Sequence, residues 1–261
     1  MTLTLGTGPL AAGAPTATNY VLDGPQHKLL FTAFPRRIRA TLAGETIVDS
    51  ERAMLLHESN IFPVVYVPMD DVSTQLLSKT DLSTHCPFKG DASYWTISAG
   101  DTVAENAVWG YENPLEAASW LQGYVAIEWG RMDHWYDEDD EIFGHIRDPY
   151  HRVDARPTSR RYQVRIDGHL VADTTDAFVV SETGADNRIY IPPADVRTDQ
   201  LTRSDTATHC PHKGDTVYWH HIETDSHDVA WSYPAPLEEA TRVAGYLCFD
   251  GPNVELTRVD E

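Results

Sequence analysis

Residues Thr84–Trp95 read Thr-His-Cys-Pro-Phe-Lys-Gly-Asp-Ala-Ser-Tyr-Trp, and residues Thr208–Trp219 read Thr-His-Cys-Pro-His-Lys-Gly-Asp-Thr-Val-Tyr-Trp. Within the first stretch, Pro87 favours an extended backbone at Cys86, and Gly90 permits a tight turn. An uncommon residue order that appears twice in one chain indicates an internal duplication. The stretch also predicts a turn between two strands in each copy.

The duplication extends well beyond these stretches. Cys210 minus Cys86 is 124, and several other identical residues recur at the same offset. These pairs are Gly44 and Gly168, Asp49 and Asp173, Glu58 and Glu182, and Tyr66 and Tyr190. After a two-residue deletion the offset is 122, and it relates Trp109 to Trp231, Tyr111 to Tyr233, Pro114 to Pro236, and Gly123 to Gly245. So long a period predicts two tandem domains rather than a solenoid.

The order of short segments predicts four regions along the 261 residues. We expect a leader or arm at 1–30, a first domain at 31–143, a linker at 144–160 and a second domain at 161–261. Many short apolar stretches with turn residues every eight to twelve positions are typical of strands, so each domain is predicted to be mainly β.

One short helix is predicted in each domain. In the first, Asn113 is the expected N-cap, Pro114 the first helical residue and Glu116 the third.

Composition restricts the classes of partner. The formal net charge is -20, from 40 acidic and 20 basic residues. Such a chain repels nucleic-acid backbones and anionic lipid, so neither is an expected partner. No run of about 18 apolar residues predicts a membrane span. The three cysteines are too few for a disulfide framework and form no Cys-x-x-Cys pair, which favours a reducing cytoplasm. We expect no metal and no other cofactor.

The chain resembles a bacterial family known as domain of unknown function 427, sometimes labelled nucleotidyltransferase-like. The resemblance covers about residues 31–250. The features that carry it are Arg36-Arg37 and Arg160-Arg161 before each first hairpin, Tyr-x-Pro-x-x-Asp-Val at Tyr66–Val72, Cys-Pro-x-Lys-Gly-x-x-x-Tyr-Trp, Trp-x-Tyr before a proline, the Gly-Tyr closing strand, and the joint Arg147–Asp154.

The resemblance implies a β-tent-like (Mss4-like) fold, in which small antiparallel sheets lean together over a pocket. We also expect a pseudo-two-fold relation between the tandem copies. Relatives with this fold hold zinc through Cys-x-x-Cys pairs, which are missing here, so the zinc is not carried over. The family's usual tyrosine in Cys-Pro-Tyr-Lys-Gly is replaced by Phe88 and His212. The sequence contains no Gly-rich phosphate loop, so it does not support the transferase label.

The repeated cysteines have three interpretations. Cys86 and Cys210 could be nucleophiles activated by the lysine three residues on, with His85 or His209 as the proton carrier. They could also line a pocket, or be structural thiols that only pack. Adjacent residues on a strand point to opposite faces, which separates His85 from the sulfur of Cys86. A Cys2His2 metal set built from both copies is disfavoured, because nearby lysines would repel the cation.

The repeated basic residues are candidates for ligand contact. Lys89 and Lys213 follow the proline turn, where an ammonium group could receive a carboxylate or phosphate. The alternative is a salt bridge with Asp91 or Asp215. Arg37 and Arg161 are either anion holders or partners of Glu58 and Glu182.

The repeated aromatic residues are candidate walls of a cleft. They are Tyr94, Trp95, Trp109 and Tyr111, matched by Tyr218, Trp219, Trp231 and Tyr233. Such rings line small-molecule clefts but also fill the cores of small β domains. We expect one tryptophan of each pair in each role.

These patterns favour a small polar or anionic molecule bound in a Trp/Tyr/Lys-lined cleft of each domain. The first alternative is a thiol-dependent transferase, hydrolase or redox enzyme that uses Cys86 or Cys210. The second is an interaction module without a ligand. The expected state is a monomer that contains an internal pseudo-dimer, with a homodimer as the alternative.

Overall fold

The computed structural model of the protein describes residues 3–6, 8–11, 17, 19, 25–224 and 226–259. The chain divides into two units, residues 1–150 and 151–261. Each unit contains one copy of the duplicated sequence, and we call them the first and the second repeat. Every helix in the described residues is too short or too polar to cross a membrane.

The first repeat consists of short antiparallel strands and one-to-two-turn 3-10 helices. The strands are β1 (Leu29–Ala33), β2 (Ile38–Leu42), β3 (Glu45–Ser50), β4 (Met54–Glu58), β5 (Val64–Pro68), β6 (Leu77–Cys86), β7 (Gly90–Ala99), β8 (Thr102–Gly110), β9 (Tyr124–Ile127), β10 (His134–Asp137) and β11 (Asp140–Ile142). The 3-10 helices are Met69–Asp71, Thr74–Leu76, Glu116–Leu121 and Trp129–Arg131.

The second repeat follows the same plan. Its strands are β12 (Val153–Thr158), β13 (Arg161–Ile166), β14 (His169–Thr174), β15 (Ala177–Glu182), β16 (Arg188–Ile191), β17 (Leu201–Arg203), β18 (His209–Cys210), β19 (Gly214–Asp215), β20 (Val217–His221), β21 (Ala230–Ser232), β22 (Leu247–Phe249) and β23 (Val254–Val259). Its 3-10 helices are Pro193–Asp195, Thr198–Gln200 and Glu238–Val243. The mainly β prediction is confirmed, while the name β-tent stays a prediction.

Each repeat contains a large and a small antiparallel sheet. The strand order is β1-β4-β5-β9-β8-β7-β6 and β11-β10-β2-β3 in the first repeat. In the second it is β12-β15-β16-β22-β21-β20-β17 and β14-β13-β23, with β18 and β19 paired separately. The largest core cluster of the first repeat combines Ile38 and Trp135 of the small sheet with Val65, Ile97 and Val125 of the large sheet. Burial of this apolar surface is the main force that holds the two sheets together.

The large sheet has a second face, which we call the aromatic face. Successive residues of a strand point to opposite sides, so Val65 and Val67 enter the main core while Tyr66 projects to the other side. The aromatic face of the first repeat carries these residues: Leu56, Tyr66, Ala92, Tyr111, Ala126, and the partly buried Phe31, Cys86, Tyr94, Trp109, Trp120 and Tyr124. Ala118 and Leu121, from the 3-10 helix Glu116–Leu121, pack on it.

Two predicted segments differ from the structure. Part of the predicted linker 144–160 is strand β12, which pairs with β15 and extends the large sheet of the second repeat. The predicted N-cap Asn113 does not begin a helix. The 3-10 helix begins at Glu116, because the Leu115 amide instead donates a 2.9 Å hydrogen bond to the Lys89 carbonyl.

Much of the predicted leader 1–30 lies outside the described residues. Among its described residues, Thr4 and Leu10 contact the first repeat through their backbone carbonyls. The Asn60 amide donates to the Thr4 carbonyl at 2.8 Å, and the Ser59 hydroxyl donates to the Leu10 carbonyl at 3.0 Å.

The Cys-Pro-x-Lys-Gly turn joins β6 to β7. Gly90 has a φ of +104°, and its counterpart Gly214 has a φ of +97°. A side chain at Gly90 would also meet the Leu115 backbone nitrogen at 3.3 Å. This conformation is open to glycine and strained for other residues.

We therefore expect Gly90→Ala to destabilise the first repeat by roughly 1–3 kcal/mol. The matched control is Gly100→Ala, since Gly100 has a φ of +56° and open space around it. Urea unfolding midpoints should fall more for Gly90→Ala than for Gly100→Ala. Equal shifts would show that the turn does not require glycine.

Candidate functional site

A buried ion pair lies at one end of the aromatic face in the first repeat. The Lys89 ammonium donates a short hydrogen bond to Glu58 Oε2, and only 11% of the Lys89 side chain and 8% of the Glu58 side chain are exposed. His27 Nε2 lies 2.8 Å from the other carboxylate oxygen, Oε1. The Lys89 ammonium is also 5.8 Å from the centre of the Tyr111 ring, within the range of a cation–π interaction.

The second repeat contains the same arrangement. The Lys213 ammonium donates to Glu182 Oε1, and His151 Nε2 lies 3.5 Å from Glu182 Oε2. The ammonium is 5.6 Å from the Tyr233 ring centre. We call the set of His27, Glu58 and Lys89 in the first repeat, and of His151, Glu182 and Lys213 in the second, the His-Glu-Lys triad. Strand ends β4 and β15 supply the glutamates, and the Cys-Pro-x-Lys-Gly turns supply the lysines.

In the second repeat, the charged groups of the triad interact strongly with one another. Burial by itself would raise the pKa of Glu182, but hydrogen bonds from His151 and Lys213, together with the Lys213 charge, lower it to about 2. Glu182 is therefore ionised at neutral pH.

Buried tyrosines surround the triad in both repeats. Desolvation raises the pKa of each above its ordinary value, so each keeps its proton and can act as a hydrogen-bond donor. These tyrosines are Tyr66, Tyr111, Tyr190 and Tyr233. In the second repeat, Trp231 Nε1 donates to the Tyr190 hydroxyl at 3.3 Å.

The salt-bridge partners of the predicted basic residues differ from the partners expected from the sequence. Lys89 pairs with Glu58 rather than Asp91, because Asp91 lies directly opposite His85 in the ladder and contacts its Nδ1 at 2.6 Å. In the second repeat, Asp215 likewise contacts His209 Nδ1 at 2.7 Å.

The arginines lie apart from the triad. Arg37 binds Asp49 through two hydrogen bonds and Arg161 binds Asp173 in the same way, so neither pairs with Glu58 or Glu182. Arg37 directly precedes β2 of the small sheet and is partly exposed, whereas Arg161 begins β13 and is exposed.

The predicted aromatic residues separate into two groups. Trp95 lies in the core between the sheets, and Trp219 packs against the corresponding core of the second repeat. Adjacent residues on β7 alternate in direction, so this position for Trp95 leaves Tyr94 on the aromatic face. The residues on the aromatic faces are Tyr94, Trp109, Tyr111, Trp231 and Tyr233, and the Tyr218 ring lies 6.4 Å from the Trp231 ring.

The cysteines occupy two environments. Cys86 and Cys210 are half-buried on the aromatic faces, whereas Cys248 is fully buried in the second repeat. Burial raises the pKa of the Cys248 thiol to about 12. No group of three or more His, Cys, Asp or Glu side chains that could hold a metal ion occurs within the described ranges.

Sequence patterns did not point to His27 and His151. His27 falls in the predicted leader, and His151 falls in the predicted linker. Their separation is 151 minus 27, which is 124, the offset of the duplication. A comparison of the two copies extended upstream of residue 31 would have found them.

The triads differ in what covers the histidine. In the first repeat, the Phe88 ring stacks on His27 with centroids 3.8 Å apart. In the second, the His212 ring lies 4.1 Å from His151 and its Nδ1 is 3.3 Å from Glu239 Oε2. The second site is therefore more polar than the first.

The second repeat also contains a surface cavity. This cavity of about 280 Å³ is lined by Tyr218, Asp228, Trp231, Asp250 and Gly251. Trp231 lines this cavity and also belongs to the aromatic face of the second repeat, so the cavity continues that face. Tyr233 follows Trp231 by two residues and projects to the same side, so the cavity lies at the end of the face away from Tyr233.

The Glu182 carboxylate should make stability depend on pH. Its folded pKa of about 2 is below the ordinary value of 4.5, so its contribution is complete above about pH 4.5 and is lost as pH falls towards 2. The contribution is on the order of 3 kcal/mol. Glu182→Gln should remove it.

The measurement is urea unfolding, monitored through hydrogen exchange of peptides from β15 and β16. Glu182→Gln should be less stable than the unchanged protein at pH 7, and the difference should shrink as pH falls from about 4.5 to 2. The control is Glu255→Gln on the exposed face of β23. A difference that stays constant over this range would contradict the electrostatic account.

The three thiols should differ in reactivity. In the folded protein at pH 8, iodoacetamide should modify Cys86 and Cys210 at least roughly tenfold faster than Cys248, because thiolate and access both govern the rate. Neither Cys86 nor Cys210 should react faster than a free model thiol, because the neighbouring lysine ammonium is paired with glutamate. Peptide mass spectrometry measures the rates, and rapid labelling of folded Cys248 would contradict its burial.

Comparison with known proteins agrees with the duplicated architecture. No curated protein matches the chain. The family model described as domain of unknown function (DUF427) matches it twice, over residues 30–138 and 154–260. These two matches cover most of the chain and contain one triad lysine and one triad glutamate each. The chain therefore belongs to the DUF427 family and contains two tandem copies of its domain.

Proposed function

We propose that each repeat binds a small polar molecule on its aromatic face, beside the His-Glu-Lys triad. The rings of Trp109 and Tyr111 in the first repeat, and of Trp231 and Tyr233 in the second, form the walls. The triad and the protonated tyrosines supply hydrogen-bonding groups. Sites with apolar walls and a few convergent polar groups are typical of small-molecule binding.

The observation that carries the proposal is the repetition of a buried ion pair. A buried Lys-Glu pair gains little stability over well-packed apolar residues, because both charges lose their hydration. The fold could be held by apolar residues at these positions. Both repeats nevertheless retain the lysine, the glutamate and the histidine in one arrangement, next to partly open aromatic rings.

The ion pair also indicates the class of ligand. The Lys89 charge is balanced by Glu58, and the Lys213 charge by Glu182. A bare anion would have to displace a carboxylate from a buried ammonium. A ligand with both donors and acceptors fits better, since it can add hydrogen bonds to the triad and to the tyrosine hydroxyls without separating the pair.

The geometry favours binding over thiol catalysis. His85 lies on the exposed side of β6, where its Nδ1 contacts Asp91. Adjacent residues of a strand point to opposite faces, so His85 is directed away from the Cys86 sulfur and is not placed to act as its base. The ammonium groups that would stabilise a thiolate are held by Glu58 and Glu182.

A thermal-shift screen of small polar metabolites tests the proposal. A ligand at a hundred times its dissociation constant should stabilise the protein by about 2.7 kcal/mol. The test variant carries Glu58→Leu and Lys89→Met with Glu182→Leu and Lys213→Met, which removes both charges of each pair together. It should fold, because buried pairs are replaceable by apolar residues, but it should lose the ligand-induced shift.

The matched control is Lys79→Met with Glu112→Leu. This ion pair lies on the same repeat but is about half exposed, with 52% of the Lys79 side chain and 47% of the Glu112 side chain accessible. The control should keep the full shift. A shift that survives in the four-residue variant, or a screen in which no compound stabilises the unchanged protein, would refute the proposed site.

A further inference from the structure

The cavity of the second repeat differs in charge from the triad. Two of its five lining residues are aspartates, and two are aromatic. Its volume of about 280 Å³ is close to the lower end of ligand pockets, roughly 300–1,000 Å³. The cavity therefore suits a small molecule rather than a peptide.

One of the two aspartates is balanced. Arg188 donates a 2.7 Å hydrogen bond to Asp250, and its guanidinium lies 5.7 Å from the Trp231 ring centre. At this distance the π system of the Trp231 ring attracts the guanidinium cation. The Arg188–Asp250 pair adds no net charge to the cavity.

The second aspartate, Asp228, keeps its charge. Burial by itself would raise the pKa of Asp228, but hydrogen bonds from the Ser204 and Thr206 hydroxyls, together with the charges of His220 and His227, hold that pKa below its ordinary value. His220 Nδ1 lies 3.7 Å from Asp228 Oδ1. This nitrogen accepts a 2.9 Å hydrogen bond from the Asp228 amide.

We propose that this cavity binds a small organic cation with an ammonium head, held between the Trp231 ring and the Asp228 carboxylate. An ammonium group over an indole ring is attracted by its quadrupole, and a nearby carboxylate adds a direct charge interaction. Tyr218 forms the other aromatic wall. This site is a cation site, so it extends beyond the binding of polar molecules at the triad.

The first repeat offers a natural comparison. Asn106 occupies the position of Asp228, since 228 minus 106 is 122. The two residues share an unusual backbone, with φ of +52° at Asn106 and +51° at Asp228. Each accepts a hydrogen bond from a threonine hydroxyl, from Thr80 at 2.7 Å and from Thr206 at 2.8 Å. The charge of the site is therefore specific to the second repeat, and asparagine fits the same local geometry.

The test uses choline and its uncharged isostere, 3,3-dimethylbutan-1-ol, at low ionic strength and pH 8, where imidazoles are mostly neutral. NMR titration of the full chain should show shifts of the Trp231 indole and of β20 and β21 amides. Choline should bind at least about tenfold more tightly than the alcohol. Equal binding of the two, or no saturable shift with choline, would overturn the proposal.

Asp228→Asn separates charge from shape. Because Asn106 adopts the same backbone, this variant should fold, and choline affinity should fall about tenfold, the loss of one charge contact of roughly 1.4 kcal/mol. Unchanged affinity in Asp228→Asn would overturn the proposal. The variant Glu182→Leu with Lys213→Met should still bind choline, so failure of the triad site and failure of the cation site give different results.

Discussion

The buried ion pair between lysine and glutamate is the interaction on which the site proposed in each repeat depends. It joins the turn after β6 to the end of β4 in the first repeat, and the turn after β18 to the end of β15 in the second. Chain segments 31 residues apart are thereby held together at the edge of the aromatic face. The turn is held from the other side as well, because the Leu115 and Leu237 amides donate to the carbonyls of Lys89 and Lys213.

This arrangement explains why the Cys-Pro-x-Lys-Gly sequence was kept in both copies. The proline holds the cysteine extended, the glycine takes a φ that other residues rarely adopt, and the lysine is thereby directed into the sheet rather than into water. The Lys89 and Lys213 residues are each only 9% exposed. Five consecutive residues therefore form the turn and also direct the lysine to one distant carboxylate, which completes the buried ion pair.

The sequence predicted the parts of this feature that are local or periodic. The duplication, the mainly β fold and the turn at Gly90 followed from residue order alone. It could not identify the partner of Lys89, because Asp91 is close in sequence and Glu58 is close only after β4 and β7 join one sheet. Asp91 is directed to His85 by the ladder register, which no local pattern specifies. His27 was missed because it precedes the first recognisable strand, and Arg37 was matched to a distant glutamate although Asp49 is its partner on the adjacent strand.

The two copies also show how one fold can carry different sites. The triad is common to both, while Phe88 and Asn106 in the first repeat correspond to His212 and Asp228 in the second. The changes lie around the edges of the aromatic face, and the residues that hold the sheets together are apolar in both copies. Duplication thus preserves the buried pair and leaves its surroundings free to diverge.

The most direct test of the account is NMR of the lysine ammonium groups at neutral pH. A buried ammonium held by a carboxylate exchanges its protons slowly, so Lys89 and Lys213 should give observable 1H–15N signals, each lost in the corresponding methionine variant. The signals of Lys28 and of the exposed Lys79 should be broadened by exchange with water. If Lys89 and Lys213 behaved like Lys28 and Lys79, the buried pair would not exist in solution, and the site built on it would be refuted.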